Sequence, residues 1–328
     1  MTSTIPLPTP SHPSASPTAA VRSPLATTHP AHTLFARASA PVRPAAAAGQ
    51  FALGGELTVN RLGFGTMQLT GSGVWGEPAD PDEAVRVLQH AVELGVNFID
   101  TADSYGPAVT EPLIRRALSP YPDDLVIATK AGFTRAGPND WRAVGRPEYL
   151  RQQAEMSLRI LGLDRIDLFQ LHRIDPAVAL EDQIGELKLL QDEGKIRCIG
   201  LSEVIIDELE AAQKVATIDS VQNRFNLADR SAEPLLDYAT ARGIAFIPWF
   251  PLATGKLAAE GSALETLARL HHATPSQLAL AWLLRRSPVM LPIPGTSSVV
   301  HLEDNLKAAQ IELSDQEFRA IGAAVRPR

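Results

Sequence analysis

The sequence predicts an α/β protein, a (β/α)8 TIM barrel with an N-terminal β-hairpin and two extra helices. Three observations carry that expectation. From residue 51 onward, eight short β-rich apolar runs alternate with stretches of helical period. The runs are nearly continuous in apolar residues, as parallel strands covered on both faces are. Glycines stand where helices must stop before the next strand: Gly95, Gly162, Gly194 and Gly243. Eight such units in 278 residues suit a barrel. A doubly wound sheet is the alternative with the same alternation.

The elements read in order as follows. Segments 51–53 and 57–59, joined across Gly54-Gly55, form a hairpin at the bottom of the barrel. The eight strand runs are 62–67, 97–101, 125–129, 167–171, 196–201, 220–222, 244–249 and 289–293. Ala84, Leu88 and Ala91 mark one helix face; Leu150, Ala154, Leu158 and Leu161 mark another. Ile205, Leu209, Ala212 and Ala216 mark a third. Helical stretches near 260–272 and 314–325 fall outside the eightfold repeat.

Residues 1–50 have a different composition. They hold no Asp or Glu, three Arg and nine of the 26 prolines. With few large apolar residues they read as a disordered Pro/Ala/Ser-rich tail, leaving 51–328 as the barrel. The acid-free composition is compatible with an organellar transit peptide, a plain tail or an upstream start codon. The whole chain carries a net charge of −7, which argues against nucleic acid as the main partner. No run approaches 18 apolar residues, so no membrane span is expected. A lone cysteine, Cys198, rules out a disulfide framework and a cysteine-built zinc site. A cytoplasmic monomer or weak homo-oligomer is expected, with organellar import through residues 1–50 left open.

Barrel chemistry gathers at the C-terminal ends of the strands. There the second run leads into Asp100 and Tyr105, the third ends in Lys130, and the fourth ends in His172. Each has an ordinary reading alone: a helix cap, a packing ring, a solvated lysine, a satisfied histidine. On three neighbouring strand ends they can converge. A phenol titrates near ~10, and an adjacent ammonium lowers that value. Asp100 could fix the ammonium, and His172 could donate to a carbonyl oxygen gaining charge. The set suits protonation of an alkoxide as hydride reaches carbon.

At these residues the chain resembles the aldo-keto reductases. The resemblance covers 51–328 and rests on Gly63-Phe64-Gly65-Thr66-Met67, on Asp100-Thr101-Ala102 with Tyr105-Gly106, on Lys130, and on Asp167 to His172. It continues through Gly200-Leu201-Ser202, Val221-Gln222-Asn223, Pro251-Leu252 and Pro294-Gly295-Thr296-Ser297 with Asn305. It implies NADPH-dependent reduction of a small-molecule aldehyde or ketone, with Asp100, Tyr105, Lys130 and His172 as the catalytic tetrad. It also implies that Ser202 and Gln222 hold the nicotinamide carboxamide of NADPH/NADP+ and that Trp249 stacks on its ring. Leu252 and Lys256 would follow the pyrophosphate. Gly295, Thr296, Ser297, Ser298, His301, Asp304 and Asn305 would surround the adenosine end. Trp75, Trp141 and Phe250 are the expected substrate walls. Segments 68–78, 277–287 and 293–298 look most like the bacterial pyridoxal reductase branch, which points to a flat aromatic aldehyde.

Two departures from the family pattern stand out. Glu203 replaces the usual Asn after Ser202; an ionised carboxylate accepts but cannot donate. His301 and Gly295 replace basic residues, which predicts a smaller preference for NADPH over NADH than an Arg clamp gives. The stretch Gly71-Ser72-Gly73-Val74-Trp75-Gly76 matches a dinucleotide fingerprint only in letters, because Pro78 and Pro81 separate it from the next helix. Adjacent His271-His272 lack metal-ligand spacing, and no metal is expected. A nucleotide-binding regulatory barrel with little turnover remains the competing function; NADPH oxidation with a panel of aldehydes separates the two.

Overall fold

The structure, a computed structural model, describes residues 43–252 and 263–325. A 3-10 turn, Pro44–Ala48, leads into an antiparallel hairpin of β1 (Gln50–Leu53) and β2 (Leu57–Asn60). Then β3 (Phe64–Gly65), β4 (Phe98–Asp100), β5 (Val126–Ala131), β8 (Ile166–Leu171), β9 (Ile196–Ser202), β10 (Ser220–Gln222) and β11 (Ala245–Phe246) form one parallel sheet in that order. A small antiparallel pair, β6 (Phe133–Thr134) and β7 (Arg142–Ala143), follows β5 above the sheet's C-terminal ends. Between the parallel strands run α1 (Pro81–Glu93), α2 (Thr110–Leu118), α3 (Pro147–Leu161), α4 (Leu180–Asp192), α5 (Ile206–Gln213) and α6 (Glu233–Arg242). Then follow α7 (Ala263–Leu270), α8 (Pro275–Arg286), α9 (Val299–Leu306) and α10 (Asp315–Ala324); α7 and α10 are the two extra helices.

The eighth run, 289–293, is not a regular strand, yet it joins the two edges of the sheet. Phe246 N donates to Val289 O at 2.9 Å and Leu291 N to Phe246 O at 2.8 Å. On the other side Gly63 N donates to Pro292 O at 2.9 Å. Main chains meet so closely there that side chains are excluded. A Cβ on Gly65 would lie 2.7 Å from Ile293 O, and one on Gly295 would lie 2.5 Å from Gly65 O. Glycine permits that approach, which explains two of the motifs read in the sequence.

The interior is filled by Phe98, Ala128, Leu168, Ala245, Ile247 and Leu291 from the strands. Leu53, Leu57 and Val59 of the hairpin join the same cluster and plug its lower end. Two outer layers pack the strands against the helices. Gly162 and Gly243 end α3 and α6 in the left-handed conformation, as expected. The hairpin is tied down by polar contacts too. Asn60 N donates to Asn97 Oδ1 at 2.7 Å, and Asn97 Nδ2 donates back to Thr58 O at 3.0 Å.

The packed body starts earlier than residue 51. Ala45 is fully buried against the α1 and α2 layer, and its N–H donates to Leu94 O at 3.1 Å. Alanines are small enough for a tight turn to press into the groove above Gly95, a role that composition alone conceals. The sequence boundary at 51 is therefore corrected to Arg43 for the described residues. No helix among the described residues is long and apolar enough to cross a membrane.

A testable consequence concerns that turn. A protein beginning at Arg43 should outlast one beginning at Gln50 in thermal unfolding. Loss of two buried alanines and one hydrogen bond costs about 1–2 kcal/mol, or roughly 2–5 °C in melting temperature. Coincident melting curves would show that the turn contributes nothing.

Candidate active site

At the C-terminal end of the sheet, four strands contribute one connected set of polar side chains. Lys130 ends β5 inside the barrel, fully buried. Its Nζ donates to Asp100 Oδ1 at 2.6 Å, to Thr101 O at 2.8 Å and to the Tyr105 hydroxyl at 3.4 Å. Asp100 Oδ2 accepts from Gln170 Nε2 at 3.1 Å and from Gln222 Nε2 at 2.9 Å. Gln222 Nε2 also reaches Gln170 Oε1 at 3.3 Å. The carboxylate, buried at the end of β4, therefore has donors from β5, β8 and β10. Such saturation is what makes a buried charge tolerable.

Tyr105 lies in the turn between β4 and α2. Gly106 follows it with φ +98°, so the chain doubles back at once and leaves the ring over the Lys130 ammonium, 5.0 Å from its centroid. His172 stands edge-on to Tyr105 with centroids 5.8 Å apart. Its Nδ1 is 3.3 Å from Ser104 Oγ. Phe133 and Trp141, carried by the β6–β7 region, pack on His172 at 4.7 and 6.2 Å.

The electrostatics depart from the sequence argument in one respect. Burial pushes the Tyr105 phenol above its ordinary value; the Lys130 ammonium opposes this, and Asp100 adds to it. The expected depression of the phenol is thus outweighed by desolvation in the free protein. Burial also works against the Lys130 charge, but Asp100 and Tyr105 outweigh it and hold Lys130 above its ordinary value. His172 is held well below its usual range, first by burial and then by Lys130, Arg173 and Arg135. It is a neutral imidazole at neutral pH.

These groups form the floor of a cavity of about 670 Å³. Trp141, Trp249, Phe250, Ser202, Gln222, Leu252 and Gly295 line it. Trp75 does not; Val74 takes that place, with φ +54°, and Trp75 lies instead 5.8 Å from the Arg135 guanidinium. A bulky ring in a loop is as easily turned outward, and only the left-handed kink at Val74 decides which. Lys256 and the 254–256 turn lie outside the described residues. Beyond Gly295, Thr296 is buried and its Oγ1 accepts from Ser298 N at 3.1 Å. Ser297 and His301 are exposed, Asn305 is buried, and Asp304 is held by Gln277 Nε2 at 2.9 Å. Glu203 turns to Trp249: its Oε1 accepts from the indole N–H and from Arg224 N at 2.7 Å.

Sequence reasoning missed Gln170, Phe133, Arg135 and Arg173. Gln170 sits two residues before His172, so strand alternation places it on the same inner face. Phe133 opens the two-residue strand β6, too short for a period to register, and the two arginines lie in loops. Arg135 donates to Ser104 O at 2.8 Å, Asp140 O at 2.8 Å and Gly73 O at 3.0 Å, drawing three loops together. It stacks on Trp141 at 3.5 Å.

Comparison with known proteins agrees with this geometry. The profile of the Aldo/keto reductase family matches residues 61–326. An uncharacterized oxidoreductase of Schizosaccharomyces pombe (strain 972) is 53% identical over 264 residues, 80% of this chain and 86% of that protein. The pyridoxine 4-dehydrogenase of Escherichia coli K12 is 44% identical over 278 residues, 83% of this chain and 97% of that protein. Among solved structures, an aldo-keto reductase from Klebsiella pneumoniae in complex with NADPH superposes with a TM-score of 0.73 at 26% identity. That match covers 85% of this chain and 95% of the other. By sequence match and by fold, the chain belongs to the aldo/keto reductase family.

Proposed function

We propose that this protein is an NADPH-dependent reductase of aldehydes on a closed (β/α)8 barrel, with Tyr105 as general acid. The observation that carries the reading is the Asp100–Lys130–Tyr105 chain of contacts at the floor of a mainly apolar cavity. When bound, NADPH supplies the hydride. The residues that would hold it fit an amide. Gln222 spends its N–H groups on Asp100 and Gln170, leaving its carbonyl free to accept. Ser202 Oγ accepts from Arg173 at 3.1 Å, leaving its own proton to donate. One acceptor and one donor side by side match a carboxamide. Glu203, by fixing the indole edge of Trp249, presents that ring to the cavity rather than meeting the cofactor itself.

On the substrate side, Tyr105 and His172 aim at a carbonyl oxygen. We assign the His172 proton to Nε2, which makes Ser104 Oγ, 3.3 Å away, the donor to Nδ1 and lets the neutral imidazole donate into the cavity. Tyr105 keeps its proton until charge develops on the oxygen, then gives it up as Lys130 stabilises the phenolate. Lys130 is held charged, with its Nζ 2.6 Å from Asp100 Oδ1. The aromatic walls, Phe133, Trp141, Trp249 and Phe250, favour a flat aromatic aldehyde. The name of the Escherichia coli relative, pyridoxine 4-dehydrogenase, supports pyridoxal as the first compound to try.

Two predictions follow from the acid's position. Tyr105→Phe should lower kcat at least 100-fold, the scale of general-acid catalysis, while the Kd for NADPH from fluorescence titration moves less than about twofold. A mutant keeping a tenth of kcat would forfeit only ~1.4 kcal/mol of barrier and would end the general-acid assignment.

The second concerns pH. Reduction needs Tyr105 protonated, and its pKa is raised, so activity persists as pH rises through 8 and falls only above about 10. His172, held far below its usual value, stays neutral, so no limb should appear between about pH 6 and 8. Lys130→Met removes the lowering influence on the phenol: its alkaline limb should move up while kcat drops. A wild-type limb near pH 6.5 that disappears in His172→Gln would show a protonated histidine at work instead.

A further inference from the structure

Two arginines lie close to His172, and only Arg173 lines the cavity. The Arg135 guanidinium has its donors occupied by backbone carbonyls of three loops. Arg173 lines the cavity and is partly buried, yet only one of its nitrogens is used. NH1 donates to His172 O at 2.8 Å and to Ser202 Oγ at 3.1 Å. Nε and NH2 have no hydrogen-bond acceptor among the described residues, and Arg173 forms no ion pair there. The nearest influence of opposite sign is Glu203, whose Oε1 is already taken by Trp249 and the Arg224 amide. The remaining charge on the floor is balanced: Asp100 is in contact with Lys130. The described cavity therefore holds one guanidinium with no carboxylate in contact, fixed at its Phe133 side, where it lies 5.5 Å from that ring.

We infer that Arg173 is a specificity-determining residue that selects carbonyl substrates bearing an oxyanion, a carboxylate or a phenolate, on the aromatic ring. The inference rests on the carbonyl-reductase reading above and adds the charge of the substrate to it. A planar fork with two free N–H edges suits a planar carboxylate, and a charge-assisted bond in an apolar cavity is stronger than one in water. Its anchoring is what makes the selection possible. Because NH1 is pinned to the His172 carbonyl, the free edge keeps a constant distance from the imidazole that receives the substrate carbonyl. The same positive field helps hold His172 neutral.

The test compares 4-carboxybenzaldehyde with benzaldehyde in the full-length protein, in Arg173→Met and in Arg173→Lys. The readout is the ratio of kcat/KM for the two aldehydes within each enzyme, so that any shared damage to Ser202 or His172 cancels. Wild type should favour the carboxylate compound at least tenfold; Arg173→Met should bring the ratio to about one, and Arg173→Lys should keep part of it. An unchanged ratio in Arg173→Met overturns the inference. So does a wild type without preference, or a weakened NADPH Kd with the ratio intact, which would give the guanidinium to the cofactor. If wild type reduces neither aldehyde, the reductase reading fails on its own. Tryptophan-fluorescence titration with the same two compounds then decides the inference: charge-selective binding lost in Arg173→Met supports it, equal binding in wild type overturns it.

Discussion

The buried ion pair between Lys130 and Asp100 is the constraint around which the upper half of the barrel is arranged. Each partner sits on a strand end with essentially no access to water. Desolvating two charges costs several kcal/mol per ion, and their attraction repays it only when the other lone pairs and protons are also satisfied. That requirement reaches across the barrel. Gln170 and Gln222, from β8 and β10, complete the carboxylate, and the Thr101 carbonyl completes the ammonium. Removing either charge would leave the other unpaired, at about 3–5 kcal/mol. The pair thus sets both the register of these strand ends and the position of the phenol above them.

From that pair the division of labour follows. The ammonium is not free to donate its proton, since Asp100 holds it, so it can act only as a field. The phenol has a proton that burial makes harder to lose and that the field makes easier to lose. Burial is the larger of the two at rest. Charge developing on a bound oxygen would tilt the balance, which is the behaviour an acid needs if it is to act late. The imidazole, kept neutral by burial and by three cations, offers a donor without competing to supply the proton.

Most of this frame was legible in the sequence, for identifiable reasons. Strand ends in a parallel barrel are predictable from apolar runs, and β4, β5, β8, β9 and β10 fall within a residue or two of their expected places. Asp100, Lys130 and His172 could be placed because each terminates such a run. The last run was read as a strand but pairs only through a few bonds, because Pro292 and Pro294 lack N–H groups. The Pro44–Ala48 turn escaped notice because its burial depends on a groove that no local pattern announces. Trp75 and Val74 exchanged roles through one left-handed residue. Arg135 and Arg173 were invisible for a further reason: an arginine in a loop reads as solvated until its carbonyl partners are known.

The seam between Gly65 and Gly295 has a consequence for redesign. Backbone meets backbone there, with no side chain between to be lengthened, shortened or repacked. The loop that follows the eighth run is therefore referenced to the first strand by covalent geometry rather than by adjustable packing. Cavity-lining positions such as Val74, Trp141 and Phe250 hang on separate loops outside that joint. The pocket can accordingly be recut for other carbonyl compounds while the spacing between the 294–296 loop and the strand ends stays fixed. The shape of the cavity wall and the position of the 294–296 loop are, in this barrel, mechanically independent variables.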